Sequence, residues 1–254
     1  MRNQNLSSIL CGTREHVDAS RALAEFRSGR PVIIVGNNET LLCLPVEGLD
    51  KDRLAAFHDA VEPMTPRLVL TSTRARSLGL DASEPVTIEL SDKLDTRIVL
   101  ALVAENKPDF EFLPAPAGTV AAAAIDLVKL AQMLPAVLVA NIDSAISGVF
   151  DPRIVTVDAK AVARFRKKST QSLRIAGEAH IPLSSGVRNR FVVFRDALGD
   201  DLVAVIVGTP DLSKPVPVRI HSACLTGDVF GSRRCDCGDQ LQLALARLQE
   251  AGGG

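Results

Sequence analysis

The sequence has 254 residues with 29 basic and 30 acidic side chains, so we expect no large basic surface and no nucleic-acid partner. Hydrophobic residues make up 46% of the chain without any Trp or Tyr, which predicts aliphatic, alanine-rich cores for two modest domains. No apolar run is long enough to span a membrane, and five cysteines, an odd number, fit a reducing cytoplasm better than a disulfide framework.

Residues 1–142 alternate between helical and extended patterns. Apolar residues that recur every three or four positions predict helices at 14–28, 50–61 and 121–134. Short apolar runs bounded by turn residues predict strands at 31–35, 41–46, 67–71, 86–90, 97–103 and 136–140. A short helical piece is expected to end near Gly79. The alternation predicts an α/β or α+β domain over residues 1–142.

The rest of the chain is predicted to hold a linker and a second domain. Residues 143–174 form the predicted linker, with a helix at 158–168 whose basic residues we interpret as a solvated face. Residues 175–254 form the predicted second domain, with strands at 191–194, 202–207 and 216–220. Apolar residues from Leu241 onward predict a final helix that runs to Gly252.

Three of the five cysteines, Cys224, Cys235 and Cys237, have the spacing C-x10-C-x-C. The ten-residue loop lets three thiolates converge on one ion, and zinc suits such soft ligands. Three protein ligands would leave a fourth position for a water, as catalytic zinc requires, unless His221 completes a structural Cys3His site. The spacing alone leaves catalytic zinc, structural zinc and unliganded cysteines as open alternatives.

The residues around the cysteines favour a site that binds an anion. Between Thr226 and Ser232 the loop is rich in turn formers and hydroxyl groups. Three cations lie beside it, Arg219, Arg233 and Arg234. A purely structural metal knuckle does not need these cations, whereas an anionic ligand binds them through charge-assisted hydrogen bonds.

The run RIHSACLTGDVFGSRRCDCGDQL, which starts at Arg219, closely resembles the zinc-binding signature of the GTP cyclohydrolase II family. The resemblance implies a catalytic zinc held by three ligands, Cys224, Cys235 and Cys237. It implies four substrate contacts, from Arg219, His221, Ser222 and Gln240. In this family the arginine contacts the triphosphate and the glutamine contacts the nucleotide. One position departs from the pattern, because Ala223 stands where many members have Glu.

The resemblance also implies a reaction. GTP and water would give 2,5-diamino-6-(5-phosphoribosylamino)pyrimidinone, formate and pyrophosphate, the first step of riboflavin biosynthesis. The zinc would activate water for attack on the guanine ring, while Arg219 stabilises charge on the phosphates. We further expect Mg²⁺ with the GTP phosphates, a homodimer, and neither nucleic acid nor membrane as a partner.

The N-terminal part carries a second resemblance, in the runs FRSGRPVIIV, LTSTRARSLGL and AAAAIDLVKLAQMLPAVLVANI. It is similar to 3,4-dihydroxy-2-butanone 4-phosphate synthase, which is often fused ahead of GTP cyclohydrolase II. That family holds magnesium through an acidic loop after the first strand and a His and a Glu at the start of a later helix. Here the first loop carries Glu39 alone, and Val120 and Ala122 stand at the His and Glu positions. We therefore expect a degenerate synthase-like α/β domain, retained for structure or assembly.

We expect residues 175–254 to form only the first half of a mixed-sheet GTP cyclohydrolase II domain. The resembled family continues with an RQEGRGIGL-like segment, so the catalytic acid–base and nucleophilic groups are expected beyond Gly254 and the 254-residue piece alone should be inactive. Two alternatives remain. One is a catalytically incomplete structural or regulatory homologue, and the other is a related zinc hydrolase that acts on another nucleotide.

Overall fold

The computed structural model describes residues 12–90, 95–105, 112–142, 153–169, 171–183, 188–199 and 201–254. The chain divides into two compact units, Met1–Lys168 and Ser169–Gly254. Both units combine helices with sheets. The predicted α/β (α+β) class is therefore confirmed.

Seven strands form the sheet of the first unit. They are β1 (Val32–Val35), β2 (Thr40–Pro45), β3 (Arg67–Leu70), β4 (Val86–Glu89), β5 (Pro114–Pro116), β6 (Ala136–Asn141) and β7 (Val155–Asp158). Across the sheet the order is β5-β4-β3-β6-β2-β1-β7. Each neighbouring pair is antiparallel except β1 and β7, which run parallel and make the sheet mixed.

Six helices accompany this sheet in the described residues. They are α1 (Arg14–Arg27), α2 (Lys51–Val61), α3 (Ser72–Ser77), α4 (Thr96–Ala104), α5 (Thr119–Leu130) and α6 (Ala159–Ser169). Leu54 and Phe57 of α2 join Val99 of α4 in one core cluster with residues such as Leu68 and Leu138 of the central strands. The alternate residues of these strands, Val69 and Val137 among them, are buried as well. Both faces of the sheet are thus covered, which explains why its strands read as continuous apolar runs.

The segment predicted as a strand at 97–103 is the helix α4, so that prediction was wrong. The side chain of Asp95 caps the helix by accepting the Arg97 N–H over 2.8 Å. The buried side chains Val99 and Leu102 lie three residues apart and so share one face of the helix. A seven-residue apolar run does not separate a strand from a buried helix by its pattern, and here the cap decides for the helix.

The segment expected to be a linker contributes structure to the first unit. Strand β7 pairs with β1, and the helix predicted at 158–168 is present as α6. Phe165 on α6 is buried, and its ring centroid lies 4.9 Å from that of His16 on α1. The basic face of α6 is also paired, since Arg164 bonds Glu15 and Arg166 bonds Asp126, both over 2.7 Å. The first unit therefore extends beyond residue 142.

The second unit contains a three-stranded antiparallel sheet in the order β10-β9-β8. Its strands are β8 (Arg174–Pro182), β9 (Arg188–Arg195) and β10 (Asp201–Ile206). The predicted strands at 191–194 and 202–207 are confirmed as β9 and β10. Strand β8 was not predicted, because all nine of its residues are exposed and Gly177 lies at a shift in the pairing register.

Nowhere in the described ranges does a helix have the length and apolar character that crossing a bilayer requires.

The strand predicted at 216–220 does not form, and this prediction was wrong. Pro215 and Pro217 flank Val216 and lack the N–H groups that a sheet ladder needs. A single π-helical turn (Leu225–Val229) and the helix α7 (Cys237–Glu250) follow this irregular segment. Two hydrogen bonds between Val207 and Gly254, of 2.9 and 3.1 Å, tie the residues after α7 to the end of the sheet.

Candidate metal centre

The sulfur atoms of Cys224, Cys235 and Cys237 all lie within 4.8 Å of one another. Cys224 Sγ and Cys235 Sγ are 3.8 Å apart. A Zn–S distance of about 2.3 Å places the sulfurs of a tetrahedral site roughly 3.8 Å apart, so this spacing fits zinc. Across the described ranges, no other group of three or more His, Cys, Asp or Glu side chains is placed to hold a metal ion.

Local backbone structure fixes two of the three cysteines. Cys224 caps the π-helical turn, and its sulfur accepts the Gly227 N–H over 3.4 Å. The hydroxyl oxygen of Thr226 lies 3.5 Å from the same sulfur. Cys237 is the first residue of α7, so its side chain is held by a regular helix. The ten-residue loop predicted from the spacing thus contains a defined turn.

Two glycines allow the turn and α7 to approach each other closely. A Cβ on Gly227 would lie 2.9 Å from Cys235 Sγ and 2.9 Å from the Cys237 Cβ. A Cβ on Gly238 would lie 2.6 Å from the carbonyl oxygen of Gly227. Real Cβ atoms do not come so close to neighbours, so a larger residue at Gly227 would displace Cys235 Sγ and one at Gly238 would push the turn away from α7.

The thiols differ in acidity. The Thr226 hydroxyl and the Gly227 N–H stabilise the Cys224 thiolate and lower the pKa of Cys224 to about 7. Hydrogen bonds with the Cys224 and Cys235 sulfurs stabilise the protonated Cys237 thiol and raise its pKa to about 12. Burial and the repulsion between neighbouring thiolates add to this rise. A cation bound among the sulfurs would remove this repulsion and favour all three thiolates.

His221 does not join the sulfur group. Its Nε2 lies 3.0 Å from Asp228 Oδ2, and the same oxygen accepts the Cys224 N–H over 2.8 Å. These two contacts lower the pKa of Asp228. The Cys3His alternative left open by the spacing is therefore unsupported by the geometry, because the ring is bound to a carboxylate instead.

Two of the four predicted substrate residues contact each other. Arg219 Nη2 donates to Gln240 Oε1 over 2.6 Å, and Gln240 Nε2 donates to Asp236 Oδ2 over 2.8 Å. Ser222, another predicted substrate residue, is exposed, and so is Ala223, which follows it in sequence. The four substrate contacts stay a prediction.

A cavity of about 690 Å³ opens beside the sulfur group. Its lining comprises Gly227, Gly231, Ser232, Arg233, Arg234, Cys235, Asp236, Gly238 and Asp239. The lining contains two arginines and two aspartates but none of the four predicted substrate residues. Asp228 was not predicted as part of the site. Its position four residues after Cys224 is the signal, since such a carboxylate can reach back to a backbone N–H.

The first unit has a cleft of about 640 Å³ between the loop Gly36–Glu39, the start of α5 and the start of α6. Its charged groups already have partners: Glu39 pairs with Arg67 at 3.6 Å and Lys160 donates to Asn37 over 3.1 Å. Val120 lies against Gly36, where an added Cβ would be 2.4 Å from Val120 Cγ2. A valine thus fills the position where the resembled synthase has a His.

Residues 173–254 match the family model described as GTP cyclohydrolase II. The GTP cyclohydrolase-2 of Xylella fastidiosa is 34% identical over 250 residues, which cover 96% of this chain and 61% of that protein. Over this segment the chain is similar to GTP cyclohydrolase II. All three clustered cysteines lie inside the matched segment, so the resemblance stated from the cysteine signature is confirmed.

Two further matches are a second GTP cyclohydrolase-2 and a solved two-domain structure. The GTP cyclohydrolase-2 of Azospirillum brasilense is 33% identical over 252 residues, covering 92% of this chain and 64% of that protein. The chain therefore spans less than two thirds of these GTP cyclohydrolase II relatives. RibBX, a two-domain 3,4-dihydroxy-2-butanone 4-phosphate synthase from A. baumannii, is similar with a TM-score of 0.48 and 15% identity over 88% of this chain and 79% of that one.

Proposed function

We propose that the protein acts as a zinc-dependent GTP cyclohydrolase II, which hydrolyses GTP to the diaminopyrimidine product, formate and pyrophosphate. The observation that carries the proposal is the cluster of Cys224, Cys235 and Cys237 with sulfurs at tetrahedral spacing. The segment that matches the family contains the whole cluster. A structural knuckle would need a fourth protein ligand, and His221 is engaged elsewhere.

The residues present fit a zinc ion. Three sulfur donors bind zinc in preference to hard cations such as magnesium. Asp228 Oδ1 is buried and has no hydrogen-bond partner within the described ranges, while Oδ2 accepts the Cys224 N–H, so a cation at the sulfurs would stabilise the charge of this carboxylate. A bound zinc would supply Lewis acidity and a water of lowered pKa for opening the guanine ring.

The arginines around the cluster fit the phosphates of GTP. Arg233 and Arg234 line the cavity, and Arg219 makes its described contact with the neutral amide of Gln240. A guanidinium whose partner is neutral keeps its charge available for a phosphate oxygen. In this proposal Arg219 binds the triphosphate, Gln240 orients the nucleotide, and Mg²⁺ accompanies the phosphates. His221 and Ser222 complete the predicted substrate contacts.

The proposed setting is a cytoplasmic homodimer that takes GTP from solution. This part rests on the resemblance and on cysteine usage.

The test measures formate release from GTP and zinc content of the full gene product. We expect one zinc per chain, and Cys→Ser substitutions at 224, 235 and 237 should each abolish both zinc binding and formate release. Cys43→Ala is the matched control, because Cys43 is buried in strand β2 of the first unit and its pKa is raised by that burial.

The outcomes separate the candidate functions. Zinc bound without formate release would support the catalytically incomplete homologue. Zinc-dependent hydrolysis of another nucleotide but not of GTP would support the related hydrolase. Undiminished zinc in all three serine variants would refute the assigned ligands.

A further inference from the structure

Asp228 is bonded to the segment around Cys224 at three points. Its backbone N–H donates to the Cys224 carbonyl over 2.7 Å. Its Oδ2 accepts the Cys224 N–H over 2.8 Å and lies 3.0 Å from His221 Nε2. Both backbone polar groups of Cys224 are therefore held by one residue that does not itself belong to the sulfur cluster.

We propose that Asp228 is a positioning residue of the three-thiolate site, which fixes the backbone of Cys224 and the Nε2–H tautomer of His221. The proposal rests on the proposed function for the metal, but it assigns a role that the cysteine signature does not contain. Carboxylates that orient the groups around a metal commonly change its affinity by tenfold or more.

The consequence for Cys224 is a sulfur with little remaining freedom. With both backbone groups bonded, its sulfur moves only by rotation about χ1. The Gly227 N–H at 3.4 Å and the Thr226 hydroxyl at 3.5 Å then favour one χ1 position. The site is thereby arranged for a metal before the metal binds, so less conformational entropy is lost on binding.

The consequence for His221 is a defined tautomer. A carboxylate oxygen only accepts hydrogen bonds, so the nitrogen that faces Asp228 must carry the proton. The neutral ring then presents Nδ1 as an acceptor. Both side chains are largely buried, with 17% of the His221 side chain and 14% of the Asp228 side chain exposed, so neither exchanges freely with water.

The charge of Asp228 has a separate effect. Its second oxygen, Oδ1, is buried without a hydrogen-bond partner in the described part of the chain. The negative charge of a carboxylate within this loop favours a cation at the sulfurs by Coulomb attraction. Removing the charge while keeping the shape should therefore weaken metal binding less than removing the whole side chain does.

The experiment compares zinc affinity in the full chain by competition with a chromophoric chelator. The variants are Asp228→Ala, Asp228→Asn and Glu250→Gln. Glu250 is an exposed carboxylate at the far end of α7, so its neutralisation matches the charge change of Asp228→Asn away from the site. We expect zinc affinity to fall about ten- to a hundredfold in Asp228→Ala. It should fall less in Asp228→Asn, whose amide oxygen can still accept, and remain unchanged in Glu250→Gln.

Two spectroscopic readouts exclude a purely structural role. The absorption spectrum of the cobalt-substituted chain should shift in Asp228→Ala, because the geometry of one thiolate changes. Nitrogen NMR of wild-type His221 should show the proton on Nε2. A Nδ1-protonated ring, or wild-type zinc affinity in a folded Asp228→Ala chain, would overturn the proposal.

The result also stays separate from the proposed function. A wild-type chain that binds no zinc would overturn both proposals together. A chain whose zinc affinity depends on Asp228 as described but which releases no formate would sustain this proposal and refute the enzymatic one.

Discussion

Arg219 and Gln240 lie 21 positions apart in sequence, yet the guanidinium donates directly to the amide oxygen. The described residues place no carboxylate within ion-pair distance of Arg219, so its charge is not neutralised by the protein there. Gln240 in turn is anchored by Asp236, which lies between two of the cysteines. The contact therefore links the predicted phosphate-binding residue to the cysteine loop.

Replacing Arg219 by Ala should weaken GTP binding while leaving stability nearly unchanged. A charge-assisted hydrogen bond to phosphate contributes about 1.5–3 kcal/mol, which corresponds to roughly ten- to a hundredfold in affinity. Equilibrium binding of GTP and the melting temperature of the full gene product measure the two effects. Arg247→Ala, at an exposed arginine of α7, is the control. Unchanged GTP affinity with a lower melting temperature would show that Arg219 is structural.

For single residues, the sequence predicts the metal ligands better than the residues that position these ligands. The C-x10-C-x-C spacing and the residues around it favour a common site for the three thiols, and the structure brings them together. The hydrogen bonds of Asp228 depend instead on the π-helical turn, a rare conformation that the sequence pattern here does not predict. The same turn decides that His221 faces a carboxylate and not the sulfurs.

Among the secondary-structure elements, helix α2 has an N-cap next to an arginine that bonds two neighbouring turns. The side chain of Asp50 accepts the Arg53 N–H over 2.8 Å and so starts the helix. The Arg53 guanidinium then bonds the carbonyls of Gly48 and Gly29, which belong to two different turns. The cap therefore orders a residue that ties these turns to the helix.

Asp50→Ala should lower the free energy of unfolding by about 1 kcal/mol, the usual contribution of an N-cap side chain. Asp50→Ser should recover most of this loss, because serine also accepts from the backbone at the N-cap position. Urea denaturation, followed through the unfolding transition of the first unit, gives the free energy of unfolding of both variants. Equal loss in the alanine and serine variants would indicate that charge, and not the cap, is what Asp50 contributes.

The elements that the sequence predicts correctly are those whose local signals agree. Helices α1 and α2 combine a capping side chain with apolar residues at helical spacing. The errors have physical causes: α4 is apolar on almost every side, and β8 buries no residue and so shows no alternation. The segment at 216–220 is apolar, but its prolines prevent pairing.

For the whole molecule, the sequence analysis placed the end of the first domain at residue 142. Local composition is a weak guide to such a boundary. Strand β7 lies 120 residues from its partner β1 and is short, with one buried residue. Pairing over such a distance leaves no mark on the intervening sequence. The division into two compact units was nevertheless expected from length and from the two separate resemblances, and two units are present.

The full chain should show no 3,4-dihydroxy-2-butanone 4-phosphate synthase activity. Val120 fills the space beside Gly36. Among the described residues of the cleft, Glu39 is paired with Arg67 and Asp126 with Arg166, so these carboxylates are not free to hold magnesium. Turnover of ribulose 5-phosphate with added Mg²⁺ measures this, with a protein-free sample as the blank and an active synthase as the positive control. Magnesium-dependent turnover above the blank would contradict the expectation.

The close packing at Gly227 and Gly238 also bears on how this loop can vary among natural sequences. Each of these glycines has a hydrogen atom where any other residue would place carbon against a sulfur-bearing residue or a carbonyl oxygen. A mutation that adds a single methyl group there keeps all three cysteines in the sequence, yet it forces the π-helical turn and α7 apart. Inherited variation at these two positions is therefore restricted by packing, although neither glycine carries any chemistry of its own.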